Sequence, residues 1–142
     1  MSKNLLEWLI YWSGFGHIVL SIASLAIPKF LKWKEELAPL QKLLRQMFWT
    51  YAGYILVINF CFGLVSVFGS KELLNNSFLA KSITFFIAIY WFARILIQFL
   101  YFDKTNAPKG WFFILGEIGL VGLFVLFTIV YTLAFLYNFT WI

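Results

Sequence analysis

Six polar side chains within the apolar runs of this sequence could do chemistry. They are His17, Asn59, Tyr90, Arg94, Gln98 and Glu117. An arginine at membrane depth costs roughly 2.5–3.5 kcal/mol on insertion scales unless a partner receives it. Because charges at such depth often mark substrate or ion routes, Arg94 and Glu117 are the first candidates for a binding site.

Arg94 and Glu117 are predicted to reach the same depth on neighbouring helices. Arg94 lies about 12 Å from the end of the third apolar run, and Glu117 about 9 Å from the start of the fourth. A short turn makes these helices antiparallel neighbours, so we expect an ion pair with Gln98 and Tyr90 beside it. Such a pair either fixes the register of two helices or lines a polar pocket, and both interpretations stay open.

His17 and Asn59 both fall near the middle of the bilayer, about 15–17 Å deep. We expect a hydrogen bond between them, with burial favouring the neutral imidazole, and proton handling is the alternative. With a single histidine, two-histidine haem ligation within one chain is impossible. We expect no metal site, because only Glu117 and the lone Cys61 could assist His17 at this depth. The residues identify no cofactor.

The composition of the chain explains why the depth of each polar residue in a membrane matters. The 142-residue chain is 63% hydrophobic and only 12% charged, whereas soluble domains carry about 25% charged residues. A chain this apolar needs lipid as its solvent. Its net charge of +5 comes from basic residues that lie mostly between the apolar runs. They indicate topology signals and contacts with anionic lipids, and no nucleic-acid partner.

Four apolar runs predict an all-α transmembrane bundle of four helices with up-down-up-down topology, in a single domain covering residues 1–142. The spans are predicted at about 5–27, 48–68, 78–102 and 111–136. Residues 28–46 form a basic amphipathic connector at the membrane interface between the first two helices. Pro39 should break this connector, because the residue before a proline is pushed out of helical geometry.

Small residues predict where these helices approach one another closely. Three helices carry such faces: Ser13, Gly16, His17, Ser21 and Ser24 in the first; Ala52, Asn59, Gly63 and Ser66 in the second; Gly116, Gly119 and Gly122 in the fourth. Small side chains let the backbones of membrane helices pack together. We therefore expect all three faces to support packing within the bundle.

The basic residues predict how the bundle is oriented. The connections between helices one and two and between helices three and four hold seven: Lys29, Lys32, Lys34, Lys42, Arg45, Lys104 and Lys109. The other side holds three: Lys3, Lys71 and Lys81. Because basic loops stay in the cytoplasm, we expect a multi-pass protein of the cell membrane with both termini extracytoplasmic.

These features favour binding or transport of a small anionic or amphipathic ligand through the intramembrane polar residues. Two alternatives stay open. A scaffold or accessory subunit of a larger membrane complex would dock through its aromatic surface and basic connector. A small intramembrane enzyme would use Glu117 or His17 as its acid or base. Membrane lipids are the expected partners, and transport by only four helices would require a homo-oligomer.

Overall fold

The computed structural model describes residues 3–30, 32–101 and 110–139, and every regular element in these ranges is helical. The α-helices are α1 (Lys3–Ser24), α2 (Ile27–Phe30), α3 (Trp33–Glu36), α4 (Lys42–Phe68), α5 (Phe78–Leu96) and α6 (Trp111–Asn138). A 3-10 turn, Glu72–Leu74, precedes α5, and a π-helical turn, Ile97–Tyr101, follows it. Four helical stretches are long and apolar enough to cross a membrane: Lys3–Lys29, Lys42–Phe68, Phe78–Tyr101 and Ile114–Asn138. The predicted all-α four-helix bundle is confirmed.

The connector between the first two spans is shorter and more divided than we expected. It forms α2, α3 and a turn around Pro39, and α4 begins at Lys42 rather than at 48. Pro39 interrupts the helix as predicted, but residues 42–47 contain neither glycine nor proline, so helical structure resumes directly. Arg45 secures this start, because its Nη1 donates to the Ala38 carbonyl oxygen at 2.9 Å. The basic end of the connector is therefore the first turn of a long helix.

The remaining spans differ from the predicted ones only at their ends. α1 ends at Ser24 instead of 27, and α6 continues to Asn138 instead of 136. Near the end of α1, the hydroxyls of Ser21 and Ser24 donate to carbonyl oxygens one turn earlier, at 3.0 and 2.7 Å. The predicted span 78–102 is formed by α5 and the π-helical turn. Its last residue, together with Lys104 and Lys109, lies outside the described residues.

The bundle consists of two closely packed pairs, α1 with α4 and α5 with α6, which are joined where α1 contacts α6. At the crossing of α1 and α4, a Cβ atom on Gly14 or on Gly63 would lie 2.8 Å from the other residue's carbonyl oxygen. Only glycine permits such an approach of two backbones. Gly63 was part of a predicted small face, whereas Gly14 was not. Gly16 packs against the Phe127 ring, which a Cβ would approach to 3.1 Å.

The prediction that Gly116, Gly119 and Gly122 support close packing is wrong. All three are exposed, and a Cβ atom on any of them would meet nothing within 4 Å. The first buried residue described in α6 is Phe124, which follows all three glycines. They therefore lie in the half of α6 that the other helices leave uncovered.

Packing is dense at one end of the bundle, which we call the closed end. It comprises the start of α1, the 3-10 turn and the end of α6, and its buried side chains include Leu6, Ile10, Leu73, Leu74 and Ala134. Asn138 ties this end together, because its Nδ2 donates to the Leu73 carbonyl oxygen at 2.7 Å and its Oδ1 accepts the Asn76 N–H at 3.1 Å. Both functions of this buried amide are satisfied within the protein.

The opposite end, which we call the open end, comprises the connector, the start of α4, the end of α5 and the start of α6. Among the described residues, burial in α4 begins only at Asn59, and burial in α5 ends at Trp91. The residues of α4 before Asn59 and those of α5 after Trp91 are exposed or half-buried. The described helices therefore bury one another more at the closed end than towards the open end.

Candidate functional site

His17 lies at the centre of the bundle with both ring nitrogens engaged. Its Nδ1 is 2.7 Å from the Ser13 carbonyl oxygen, and its Nε2 is 2.8 Å from the Trp91 indole Nε1. A carbonyl oxygen can only accept a hydrogen bond and an indole N–H can only donate one. The geometry therefore assigns a neutral imidazole with its proton on Nδ1. The side chain is completely buried, with an exposed fraction of 0%.

Aromatic side chains enclose this histidine on several sides. The Phe127 ring stacks on the imidazole with centroids 3.9 Å apart, and Tyr131 meets it edge-on at 5.7 Å. The Tyr131 hydroxyl is hydrogen-bonded to Ser66 of α4. We call His17, Trp91, Phe127 and Tyr131 the histidine cluster. Its polar atoms are paired with one another or with nearby backbone and serine oxygens, so it joins α1, α4, α5 and α6 without an outside molecule.

The predicted hydrogen bond between His17 and Asn59 is wrong. The imidazole nitrogens are taken by Ser13 and Trp91, and the buried Oδ1 of Asn59 has no hydrogen-bond partner among the described residues. Equal depth did bring the two residues to adjacent levels, but depth says nothing about the direction in which a side chain leaves its helix. Trp91 was the missed residue. Its signal was a tryptophan far from the interfaces, where the indole N–H needs a buried acceptor.

The structure brings Arg94, Gln98 and Glu117 together, and we call these three residues the arginine group. Arg94 Nη1 donates to Gln98 Oε1 at 3.2 Å, and Gln98 Nε2 donates to Glu117 Oε1 at 3.2 Å. Gln98 thus connects the guanidinium of α5 to the carboxylate of α6. All three side chains are half-buried. The three side chains lie together as predicted, but they are half-buried, whereas we expected a buried group.

Two features of the chain place the arginine group where it is. Gln98 belongs to the π-helical turn, and a wider turn of this kind redirects side chains and is frequent at functional sites. The Arg94 guanidinium carbon lies 5.1 Å from the centre of the Phe124 ring, within the range of a cation–π contact. The other contact of Phe124 is with Trp91, whose ring stacks at 5.0 Å. Phe124 therefore separates the arginine group from the histidine cluster.

Tyr90 lies one turn before Arg94 on α5 and interacts with it, as predicted, whereas Asn59 belongs to neither group. Tyr90 is half-buried and packs edge-on against Phe62 of α4, with ring centroids 5.4 Å apart. Asn59 precedes Phe62 by one turn, as Tyr90 precedes Arg94 by one turn. The helices α4 and α5 run in opposite directions. Asn59 and Arg94 therefore both lie on the open-end side of the contact between Phe62 and Tyr90. Of the six predicted site residues, one, His17, lies in the enclosed cluster. The open group holds Arg94, Gln98 and Glu117, with Tyr90 beside it, and Asn59 belongs to neither.

Metal ligands are scattered in the part of the chain that the structure describes. No three His, Cys, Asp or Glu side chains there lie close enough to hold a metal ion. Cys61 is exposed on α4.

Comparisons of the chain with protein-family models, with curated proteins and with solved structures find no match. The function is therefore argued from the geometry of the two polar groups. Four apolar helices identify a multi-pass membrane protein. Within the described spans, the arginine group is charged and also half-exposed, so a ligand can reach it.

Proposed function

We propose that this membrane protein binds a small amphipathic anion at Arg94, with Gln98 and Glu117 holding the guanidinium in place. The observation that carries the proposal is the half-burial of this charged group beside the less buried, open end of the bundle. An intramembrane charge that is neither enclosed nor at the surface is typical of a ligand site. The enclosed histidine cluster lacks this access.

The choice of an anion rests on charge. A guanidinium matches carboxylate and phosphate oxygens, and its planar face contacts the Phe124 ring. The open end also carries the basic connector, with Lys29, Lys32 and Lys34. Glu35 and Glu36 offset part of this charge, but the connector stays net positive and raises the local concentration of anions. The end of α5 and the π-helical turn expose apolar side chains beside Gln98, so a ligand with an alkyl portion fits this position.

Binding is better supported than transport through a single chain. A ligand at Arg94 would meet the side chains of Trp91 and Phe127 next, and these are at most 1% exposed. Enzymatic use of His17 has less support, because both ring nitrogens are occupied and the ring is enclosed. The arginine group is open on one side only. This suits a site that a ligand enters and leaves from the same end of the bundle.

The experiment compares two probes that share an alkyl chain, oleate and oleyl alcohol, in their effect on thermal unfolding in a neutral detergent. We expect oleate to stabilise the wild-type protein by about 2.7 kcal/mol at about one hundred times its Kd, and the alcohol to stabilise it much less. Arg94→Gln combined with Glu117→Gln should abolish the difference without leaving an unpaired charge. Lys81→Gln, which removes a cation at the closed end, is the matched control. Equal stabilisation of the double variant by oleate would refute the proposal.

The basic connector also predicts that the open end, and with it Arg94, faces the cytoplasm. The test uses single cysteines introduced by Ser2→Cys or Lys34→Cys in a Cys61→Ser background. An impermeant thiol reagent added to intact cells should label position 2 and leave position 34 unlabelled. Labelling of position 34 from outside would reverse the orientation.

A further inference from the structure

A separate cavity lies at the open end, between the turn that follows α3 and the first turns of α4. It is open to the surface and has a volume of about 820 Å³. Its lining residues are Lys34, Leu37, Ala38, Lys42, Arg45, Gln46, Trp49 and Thr50. None of them belongs to the arginine group. The cavity is thus a second polar site at the same end of the molecule.

Three cationic side chains converge on this cavity: Lys34 from α3, and Lys42 and Arg45 from α4. Its described lining contains no carboxylate, and the first turn of α4 carries none either. Like charges around one space repel one another, so a bound anion would stabilise the arrangement. Gln46 and Thr50 add an amide and a hydroxyl that can donate to the oxygens of that anion.

The length of α4 determines the level of the cavity in a membrane. With 27 residues, α4 is about 40 Å long, whereas the hydrocarbon core of a bilayer is about 30 Å thick. The excess of roughly 10 Å belongs to the end that carries Lys42 and Arg45, because the other end finishes on the exposed apolar side chain of Phe68. The first two turns of α4 therefore lie among the lipid headgroups.

Aromatic side chains mark the same level. Trp33, Phe48 and Trp49 form edge-to-face contacts with ring centroids 4.9 to 6.2 Å apart, and Trp49 also lines the cavity. Tryptophan is enriched where hydrocarbon meets headgroup. One turn further into the membrane is Gly53, where a Cβ atom would meet nothing within 4 Å. This leaves room for an acyl chain directly below the cations.

We infer that this cavity binds the phosphate of an anionic phospholipid. Lys34, Lys42 and Arg45 surround the phosphate, and an acyl chain lies along α4 past Trp49 and Gly53. Arg45 also has a structural role, because its hydrogen bond to the Ala38 carbonyl oxygen holds the turn around Pro39 against α4. The two lysines are therefore the residues to remove in a test, because neither has a structural bond of this kind among the described contacts.

The test measures tryptophan quenching by lipids with brominated acyl chains in phosphatidylcholine vesicles that contain the full-length protein. We expect brominated phosphatidylglycerol to quench the wild-type protein at much lower mole fractions than brominated phosphatidylcholine does. Lys34→Gln with Lys42→Gln should reduce this preference roughly tenfold, because it removes two of the three cations that surround the phosphate. Trp49→Phe should remove most of the quenched emission, which places the lipid at the cavity.

The matched control is Lys29→Gln with Lys32→Gln, which removes the same charge from the same connector but from residues that do not line the cavity. It should keep the wild-type preference. An equal loss in both double variants would overturn the inference, because it would indicate diffuse attraction to a basic surface. Displacement of the brominated lipid by equimolar inorganic phosphate would overturn it as well, since the ligand would then be a free anion. The oleate response at Arg94 is independent of both outcomes.

Discussion

The histidine cluster and the arginine group lie about one helical turn apart along α5, at Trp91 and Arg94, yet one is enclosed and the other is open. His17 is neutral, and its two hydrogen bonds end on Ser13 and Trp91. Such a group can be buried completely, because every polar atom has a partner. Arg94 and Glu117 carry charges whose removal from all solvent would cost more than their attraction returns. They lie towards the open end, where they are only half-buried.

The enclosed histidine cluster completes its own hydrogen bonds, whereas the charged arginine group remains accessible from one end. A cluster that completes its own hydrogen bonds holds four helices together and offers nothing to a ligand. A charged group at the edge of the packed region contributes less to packing but remains accessible to a ligand. Substitutions in the two regions should therefore differ in their effects on stability and on ligand binding.

The largest effect on stability should come from His17→Ala. It leaves a cavity beside Phe127 and a buried Trp91 N–H without its acceptor, and we expect a loss of about 3–5 kcal/mol. The control is Phe15→Ala, an aromatic deletion on the exposed face of the same helix, which should cost less than about 1 kcal/mol. Unfolding in neutral detergent measures both. Similar losses in the two variants would show that the enclosed cluster is not the centre of stability.

A second test compares glycines of the packed and the uncovered regions. Gly63→Ala brings a methyl group 2.8 Å from the Gly14 carbonyl oxygen, so we expect a destabilisation of about 1–3 kcal/mol. Gly119→Ala adds the same methyl group in open space and should stabilise α6 by up to about 1 kcal/mol. The opposite signs would be measured in the same unfolding assay. A loss at Gly119 would mean that another surface packs there.

The arginine group should respond as a coupled pair. Arg94→Ala or Glu117→Ala leaves a half-buried charge without its partner, and we expect each to cost about 1–2 kcal/mol. The double variant should be no less stable than either single variant. A double-mutant cycle on unfolding measures the coupling. Simple additivity would contradict an interaction through Gln98.

Exchanging the two charges separates structure from ligand binding. Arg94→Glu with Glu117→Arg keeps one charge of each sign on the same two helices. We expect this variant to retain stability but to lose the selective stabilisation by oleate, because the cation is moved to α6. Unchanged oleate binding in the exchanged protein would favour a purely structural role for the pair.

The smallest effect should come from Asn59→Leu. The Asn59 Oδ1 is buried without a described partner, so replacing the amide by an apolar side chain of similar size should change stability by less than about 0.5 kcal/mol or increase it. Asn138→Leu is the contrasting variant, because it removes two hydrogen bonds at the closed end and should cost about 2 kcal/mol. A loss of stability in Asn59→Leu as large as that in Asn138→Leu would show that the Asn59 amide has a hydrogen-bond partner at the open end.

The order of the residues alone predicts the four helices and the level of each polar residue along its helix. Hydropathy along the chain is a local property, and the rise of an α-helix is constant, so depth follows from counting residues. The proximity of Arg94, Gln98 and Glu117 followed from the same counting, because α5 and α6 are consecutive antiparallel helices. Pro39 likewise ended a helix through its own covalent geometry.

The direction in which the side chains of each helix point depends on the tertiary structure. His17 binds Trp91, which is 74 residues away in the chain, and not Asn59 at a similar depth. Gly14 and Gly63 meet at a helix crossing, whereas Gly116, Gly119 and Gly122 face open space. The rotation of a helix about its axis depends on the simultaneous packing of all its neighbours, and no local pattern contains that information.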